Sequence, residues 1–286
     1  MSPGDRAEGM ARLRRAVAHI EAEAGPAGGR AARRMPLGRT LDAALGGGLA
    51  DDGLHEIAPA KPQDGAAAMG FALALAARFL SRRPASALLI GEGFAAHEAG
   101  ALYGPGLIAH GLPLSRLVFV NAPDAALAFW AMEEALKCGA PAAVVGEIWN
   151  LKGYSLAASR RLLLAARKGR TPALLILASA YRQAERLSSA AETRFEIAAA
   201  PSVKLKAAAG RDLPGPFACG ARLVKARLAR AGPEGSFQAF DAERVIRLEW
   251  RSQDNQFEEL AFGDPAISLP VAAAAGDGPR PASQWR

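Results

Sequence analysis

Residues 56–80, EIAPAKPQDGAAAMGFALALAARFL, decide how the rest of the chain is read. Glu56-Ile57 closes an apolar run, a Pro/Gly loop follows, and an Ala/Leu-rich segment of helical composition comes next. A strand, a loop and a helix in that order make the place where a phosphate-binding loop sits. Such a loop works through glycines that free backbone amides, a Lys that neutralises the terminal phosphates, and a Ser/Thr that ligates Mg²⁺. Here Gly65 is followed by Ala66 and Ala67, and Asp64 puts a negative charge where phosphate would lie. Lys61 can point inward, but Pro59 and Pro62 remove two amide donors. Without the Lys and the hydroxyl the loop lacks charge-assisted contacts of about 1.5–3 kcal/mol each. The reading is a strand-loop-helix element kept for packing, with no nucleotide cofactor and no ATPase activity.

The surrounding 286 residues set the bounds. Half of the residues are hydrophobic, 22% are charged and mean hydropathy is +0.05, which suits a globular chain with ample core. Aromatics are only 6%, so the core must rely on Leu, Val, Ile and small residues. A net charge of +7 and a pI near 9.8 leave two readings open, an anionic partner, nucleic acid first, or a merely solvated basic surface. Cys138 and Cys219 form no CxxC pair, and His19, His55, His97 and His110 have no ligand spacing. Neither a disulfide framework nor a metal site is expected. The arginines at 12, 14 and 15 precede no apolar signal region, and no apolar run is read as approaching the roughly 18 residues of a membrane span. A cytoplasmic protein with no membrane partner is the expectation, associated with the nucleoid when engaged on DNA.

Four regions follow. Residues 1–36 form an N-terminal arm, with Met10, Leu13, Val17 and Ile20 at helical spacing, a break at AGPAGG (24–29) and a basic linker. The arm either docks a partner or folds back on the core. Residues 37–200 alternate apolar strand runs (LHEIAP, ASALLIGE, RLVFVNA, AAVVGEIW, PALLILAS, RFEIAAA) with helices predicted at 66–82, 95–109, 124–137, 155–169 and 183–191. That alternation makes an α/β fold whose mostly parallel sheet is covered by helices on both faces. Residues 201–262 begin with a connector and continue as a C-terminal strand pair, and 263–286, rich in Pro, Ala and Gly, are expected to be a disordered tail.

The order of these segments resembles a family. LGGGL (45–49), LHEI (54–57), the loop and its helix are similar to the start of a RecA-like core. SALLIGE (86–92) resembles its second strand, AAVVGEIW (142–149) its Walker B strand, and SLAASRRLLLAARKG and TPALLILAS the helix and strand after it. With its degenerate loop and basic composition the chain looks most like the ImuA-type damage-inducible mutagenesis proteins, RecA-like and related to the SulA cell-division inhibitors. The resemblance implies a non-catalytic accessory protein of SOS-induced translesion synthesis. It would bridge a Y-family-like polymerase homologue and an error-prone replicative-type polymerase, with single-stranded DNA as a further contact. A SulA-like inhibitor of the tubulin-like division protein is the alternative, and an active RecA-type DNA-dependent ATPase the third. Glu92 falls near the family's water-activating carboxylate. At the Walker B position Gly146 stands for the expected Asp, with Glu147 one step on and so on the other strand face. The two DNA-binding loops would shrink to about NLKGYS (150–155) and part of SAYRQAERLSSAAETR (179–194).

No acidic residue lies between Ile148 and Ala184, while Lys152, Arg160, Arg161, Arg167, Lys168, Arg170 and Arg182 do. At about 100° per residue, Leu156, Leu162, Leu163 and Ala166 share an apolar arc of about 120°, flanked by pairs of cations seven residues apart. The stripe can meet DNA or an acidic partner, or it can be a solvated helix face. With only Tyr154 and Tyr181 nearby to stack on bases, any DNA contact would be electrostatic. QFEELAF (256–262) looks like a sliding-clamp peptide, but its Leu and Phe stand one place too far from Gln256.

Overall fold

Strand β3 (Leu54–Pro59) is buried at every residue, and that explains its uninterrupted apolar sequence. The computed structural model describes residues 33–94, 100–203, 205–206, 212–213, 215–227 and 243–260. The amphipathic segment 6–23, its hinge and the tail lie outside them. A short β1 (Arg34–Met35), helix α1 (Arg39–Leu45) and β2 (Leu49–Ala50) precede β3. After it come α2 (Gly65–Arg82), β4 (Ala87–Glu92), α3 (Gly104–Ala109), β5 (Leu117–Ala122), α4 (Ala125–Cys138), β6 (Ala143–Ile148), α5 (Leu156–Gly169), β7 (Ala173–Leu177) and β8 (Thr193–Ala199). Two-residue strands β9 (Leu205–Lys206) and β10 (Asp212–Leu213) pair with each other in the expected connector, ahead of β11 (Ala218–Ala226), β12 (Val245–Arg251) and β13 (Gln256–Leu260).

Nine strands make the main sheet in the order β13-β12-β11-β8-β3-β7-β6-β4-β5. From β8 to β5 neighbours run parallel; β11, β12 and β13 extend the β8 side as an antiparallel meander. Helices α1, α2 and α3 share one apolar core with one sheet face, and α4 and α5 share the other. The meander belongs to the first core: the Phe71 ring of α2 lies 5.3 Å from Phe195 and 5.4 Å from Phe257.

Two sequence expectations, the membrane-length reading and one helix, need correction. The run from Pro62 to Arg82 is long and apolar enough to cross a membrane by length and composition, but 67% of its apolar 18-residue stretch is buried inside the fold. Its apolarity is that of a core helix. The helix expected at 183–191 is a single 3₁₀ turn, Ala184–Arg186. Its carbonyls are taken: Arg194 donates to those of Ala184 and Leu187, and the amide of Ala190 goes to Ser159 Oγ. The clamp-like QFEEL is edge strand β13, and Glu259 caps α1 by accepting from the amides of Thr40 (2.7 Å) and Leu41 (3.3 Å). Of the helix expected at 95–109, residues 95–99 lie outside the described set and α3 covers the end.

The buried polar groups predict a pH response. His55 is fully buried between the Ala50 carbonyl and the Thr193 hydroxyl, each 2.8 Å away. Burial holds its pKa below the usual value; Arg34 acts in the same sense, and Glu192 and the Ala50 carbonyl oppose. His110, bonded to the Gly70 carbonyl, is lowered by burial as well. Below about pH 6.5 the unfolded chain takes up protons that the folded one refuses, so stability falls as pH drops through that value. The urea midpoint is expected to fall between about pH 7.5 and about pH 5.5, and to fall less in His55→Gln, which keeps both hydrogen-bonding functions. An equal fall in both proteins would show that His55 is not the group responsible.

Candidate functional site at the carboxyl ends of the strands

Where β3 ends, the loop that would hold phosphate is stitched to β8. The Ala60 amide donates to the Ile197 carbonyl (2.8 Å), and Pro62–Asp64 form a 3₁₀ turn that runs into α2. Asp64 is buried, and its Oδ1 accepts from the amide of Ala199 (3.0 Å). Its carboxylate therefore ties two chain segments together. Gly65 has ordinary helical dihedrals, and a Cβ there would touch nothing, so the loop makes no use of its being glycine. Lys61 is exposed and makes no ion pair among the described residues.

Glu92 ends β4, buried, with Oε2 accepting from the amides of Trp149 (2.8 Å) and Asn150 (3.0 Å). Those amides open the loop after β6, so Glu92 fixes that loop in place. Glu147 lies on the α2 face, half-buried, and Oε1 accepts from Trp149 Nε1 at 3.2 Å. Burial pushes its pKa up; the indole bond opposes this and the charge of Glu92 adds to it. Gly146 faces α4, where a Cβ would stand 2.1 Å from Met132 Sδ. The two faces of this strand end are thus divided as the one-residue offset requires.

Trp149 joins these parts, and no sequence pattern singles it out. Its ring meets Phe94 edge-on at 5.9 Å, and its carbonyl accepts from Ser179 Oγ at 2.7 Å. Across the sheet, Glu56 and Arg194 form a buried pair, Oε2 to Nε at 2.6 Å, with Ser189 Oγ bonded to both. Among the described residues no group of three or more His, Cys, Asp or Glu could hold a metal ion.

Helix α5 starts at Ser155, whose Oγ accepts from the Ala158 amide (3.2 Å). Ser159, Leu162, Leu163, Ala165 and Ala166 are its buried residues; Leu156, expected in the apolar arc, is exposed in its first turn. The cations do not act as one stripe. Arg161 pairs with Glu133 of α4 and Arg167 with Glu192 (3.0 Å), while Lys152, Arg160, Lys168, Arg170 and Arg182 make no ion pair among the described residues. Arg170 and Arg182 adopt left-handed backbone at turns, φ 51° and 58°. Gly169, the more obvious terminator, is still helical, and its missing side chain serves packing: a Cβ there would lie 1.8 Å from the Leu136 carbonyl oxygen.

A parallel six-stranded block with helices on both faces and an antiparallel meander on one edge make an α/β fold of RecA-like kind, with a strand-turn-helix element at the carboxyl end of β3. No protein-family model and no curated protein matches the chain. Among solved structures it is similar to SulA from Pseudomonas aeruginosa, at 22% identity and TM-score 0.35, over 43% of this chain and 96% of that one. It is also similar to the RadB recombinase, at 14% identity and TM-score 0.45, over 78% of this chain and 97% of that one.

Proposed function

We propose that the chain is a non-catalytic, RecA-like accessory protein of SOS-induced translesion synthesis. It bridges a Y-family-like polymerase homologue and an error-prone replicative-type polymerase, with single-stranded DNA as a further contact. The observation that carries the non-catalytic reading is the internal engagement of the loop carboxylate Asp64 and of Glu92, the carboxylate nearest the family's water-activating position. Asp64 is bonded to the Ala199 amide, and Glu92 to the amides of Trp149 and Asn150. The Glu92 oxygen that accepts from two backbone amides is committed to holding the loop after β6. The mutasome role rests on the ordered resemblance to ImuA-type proteins.

The test is phosphate release from ATP, with and without single-stranded DNA, by the protein and by Glu92→Gln. No difference between the two is expected. Turnover lost on that substitution would overturn the non-catalytic reading, because contamination cannot explain it. A pull-down after DNA damage tests the partner: the polymerase components support the role, and the tubulin-like division protein in their place would overturn it.

For DNA, the cations without an ion pair among the described residues that lie nearest one another in sequence are Arg160, Lys168 and Arg170. Three phosphate contacts on a single strand give a salt slope of log K near −0.7 × 3, about −2. Replacing Arg160 and Lys168 by Ala is expected to flatten it, and Arg161→Ala to leave it unchanged. A slope that stays near about −2 in the double variant would remove DNA from this helix.

A further inference from the structure

Among the described residues, strand β5 closes one end of the sheet and pairs only with β4. An edge is normally blunted by charge, a proline within the strand or a bulge. This one reads Leu117-Val118-Phe119-Val120-Asn121-Ala122 and has none of these. Val118 is 46% exposed and Phe119 54%. From Pro113 to Pro123 the one charged residue is Arg116, and its guanidinium is turned inward onto the carbonyls of Leu80, Arg83 and Ala85. The neighbouring elements add Ile108 and Leu114 before the strand and Leu127 and Trp130 on α4, all exposed. The opposite edge is managed differently. On β13, Glu259 is spent on α1 and Glu258 pairs with Arg251.

We propose that β5 is a dimerisation edge, pairing antiparallel with β5 of a second copy of this chain to make one continuous sheet. The sequence Val118-Phe119-Val120 is a palindrome. A two-fold axis through Phe119, perpendicular to the sheet, sets Phe119 against Phe119 of the second copy and Val118 against its Val120. Residues opposite one another then lie on the same face, as the pleat requires. Val118 and Val120 extend the core on the α4 side, and Leu117 and Phe119 extend the other. A chain of net charge +7 should repel its copy, and this neutral surface lets two copies meet without facing like charges. A stable interface needs about 800 Å² per partner, more than six residues of strand supply, and the flanking Leu114, Leu127 and Trp130 widen it. The contact is isologous and uses the β5 edge of both copies, so it stops at two copies.

The test uses the full chain. Sedimentation at micromolar concentration is expected to show a dimer, and Phe119→Lys to raise its dissociation constant about 100-fold or more, with an unfolding midpoint that no longer depends on protein concentration. In a Cys138→Ser background, Phe119→Cys oxidised with copper phenanthroline is expected to give a disulfide-linked dimer, since opposed residues have Cβ atoms about 4.5–5.5 Å apart. Cys219 stays out of that reaction, buried and with its pKa pushed up to about 12. Val203→Cys, exposed and away from the edge, is the control and should stay uncrosslinked. A monomer with no crosslink at position 119 overturns the proposal, as does a dimer indifferent to Phe119→Lys. An edge that is protected only when a polymerase partner is added would assign it to that partner and equally overturn the dimer. The result does not depend on the accessory role.

Discussion

Arg194→Met is expected to destabilise the protein by about 3–5 kcal/mol, the cost of leaving a buried charge without its partner. Glu56 is 0% exposed and Arg194 2%, so neither can turn to water. Burial already raises the Glu56 pKa, against the pull of Arg194 and Ser189. Removing the guanidinium also strips the Ala184 and Leu187 carbonyls of their donor and releases the turn between β7 and β8. Changing Glu56 to Met as well removes the stranded carboxylate, so the double variant should lie closer to the parent than Arg194→Met alone. Denaturant midpoints at constant m-value measure both. A single variant within about 1 kcal/mol of the parent would mean that the pair holds little of the fold.

Gly146→Asp is the second large effect. It restores the acid that the Walker B strand would carry, and it should cost about 3–5 kcal/mol while producing no ATPase activity. The new Cβ would stand 2.1 Å from Met132 Sδ, and Met132 is fully buried. The carboxylate would enter the apolar core between α4 and the sheet, away from the loop at Ala60–Gly65. Met132→Ala in the same chain should relieve the crowding but not the buried charge. Measurable hydrolysis by Gly146→Asp would show that the site faces α4 after all.

The parallel strands were legible because their cause is local. LHEIAP is buried on both faces, and its limits at 54 and 59 are those of β3. The segment 183–191 misled for the opposite reason. Its composition suits a helix, but the groups that forbid one are Arg194 and, 138 residues from it, Glu56. Edge strand β13 owes its conformation to pairing with β12 and not to its own alternation. At the candidate site, Glu92 could be picked out as a carboxylate ending a strand. Its partners could not: they are backbone amides 57 and 58 residues away, and an amide leaves no mark on a sequence.

The bond between Glu259 and the start of α1 spans 219 residues. Its consequence is one of timing. A chain made from its N-terminus acquires the sheet's central strands long before residue 259 exists. Helix α1, seven residues long, must wait for its cap until the last described strand has been synthesised. Closing so long a loop adds little entropy once the sheet already holds both ends near one another. The contact thus acts as a late latch, absent from any chain that stops short of Glu259.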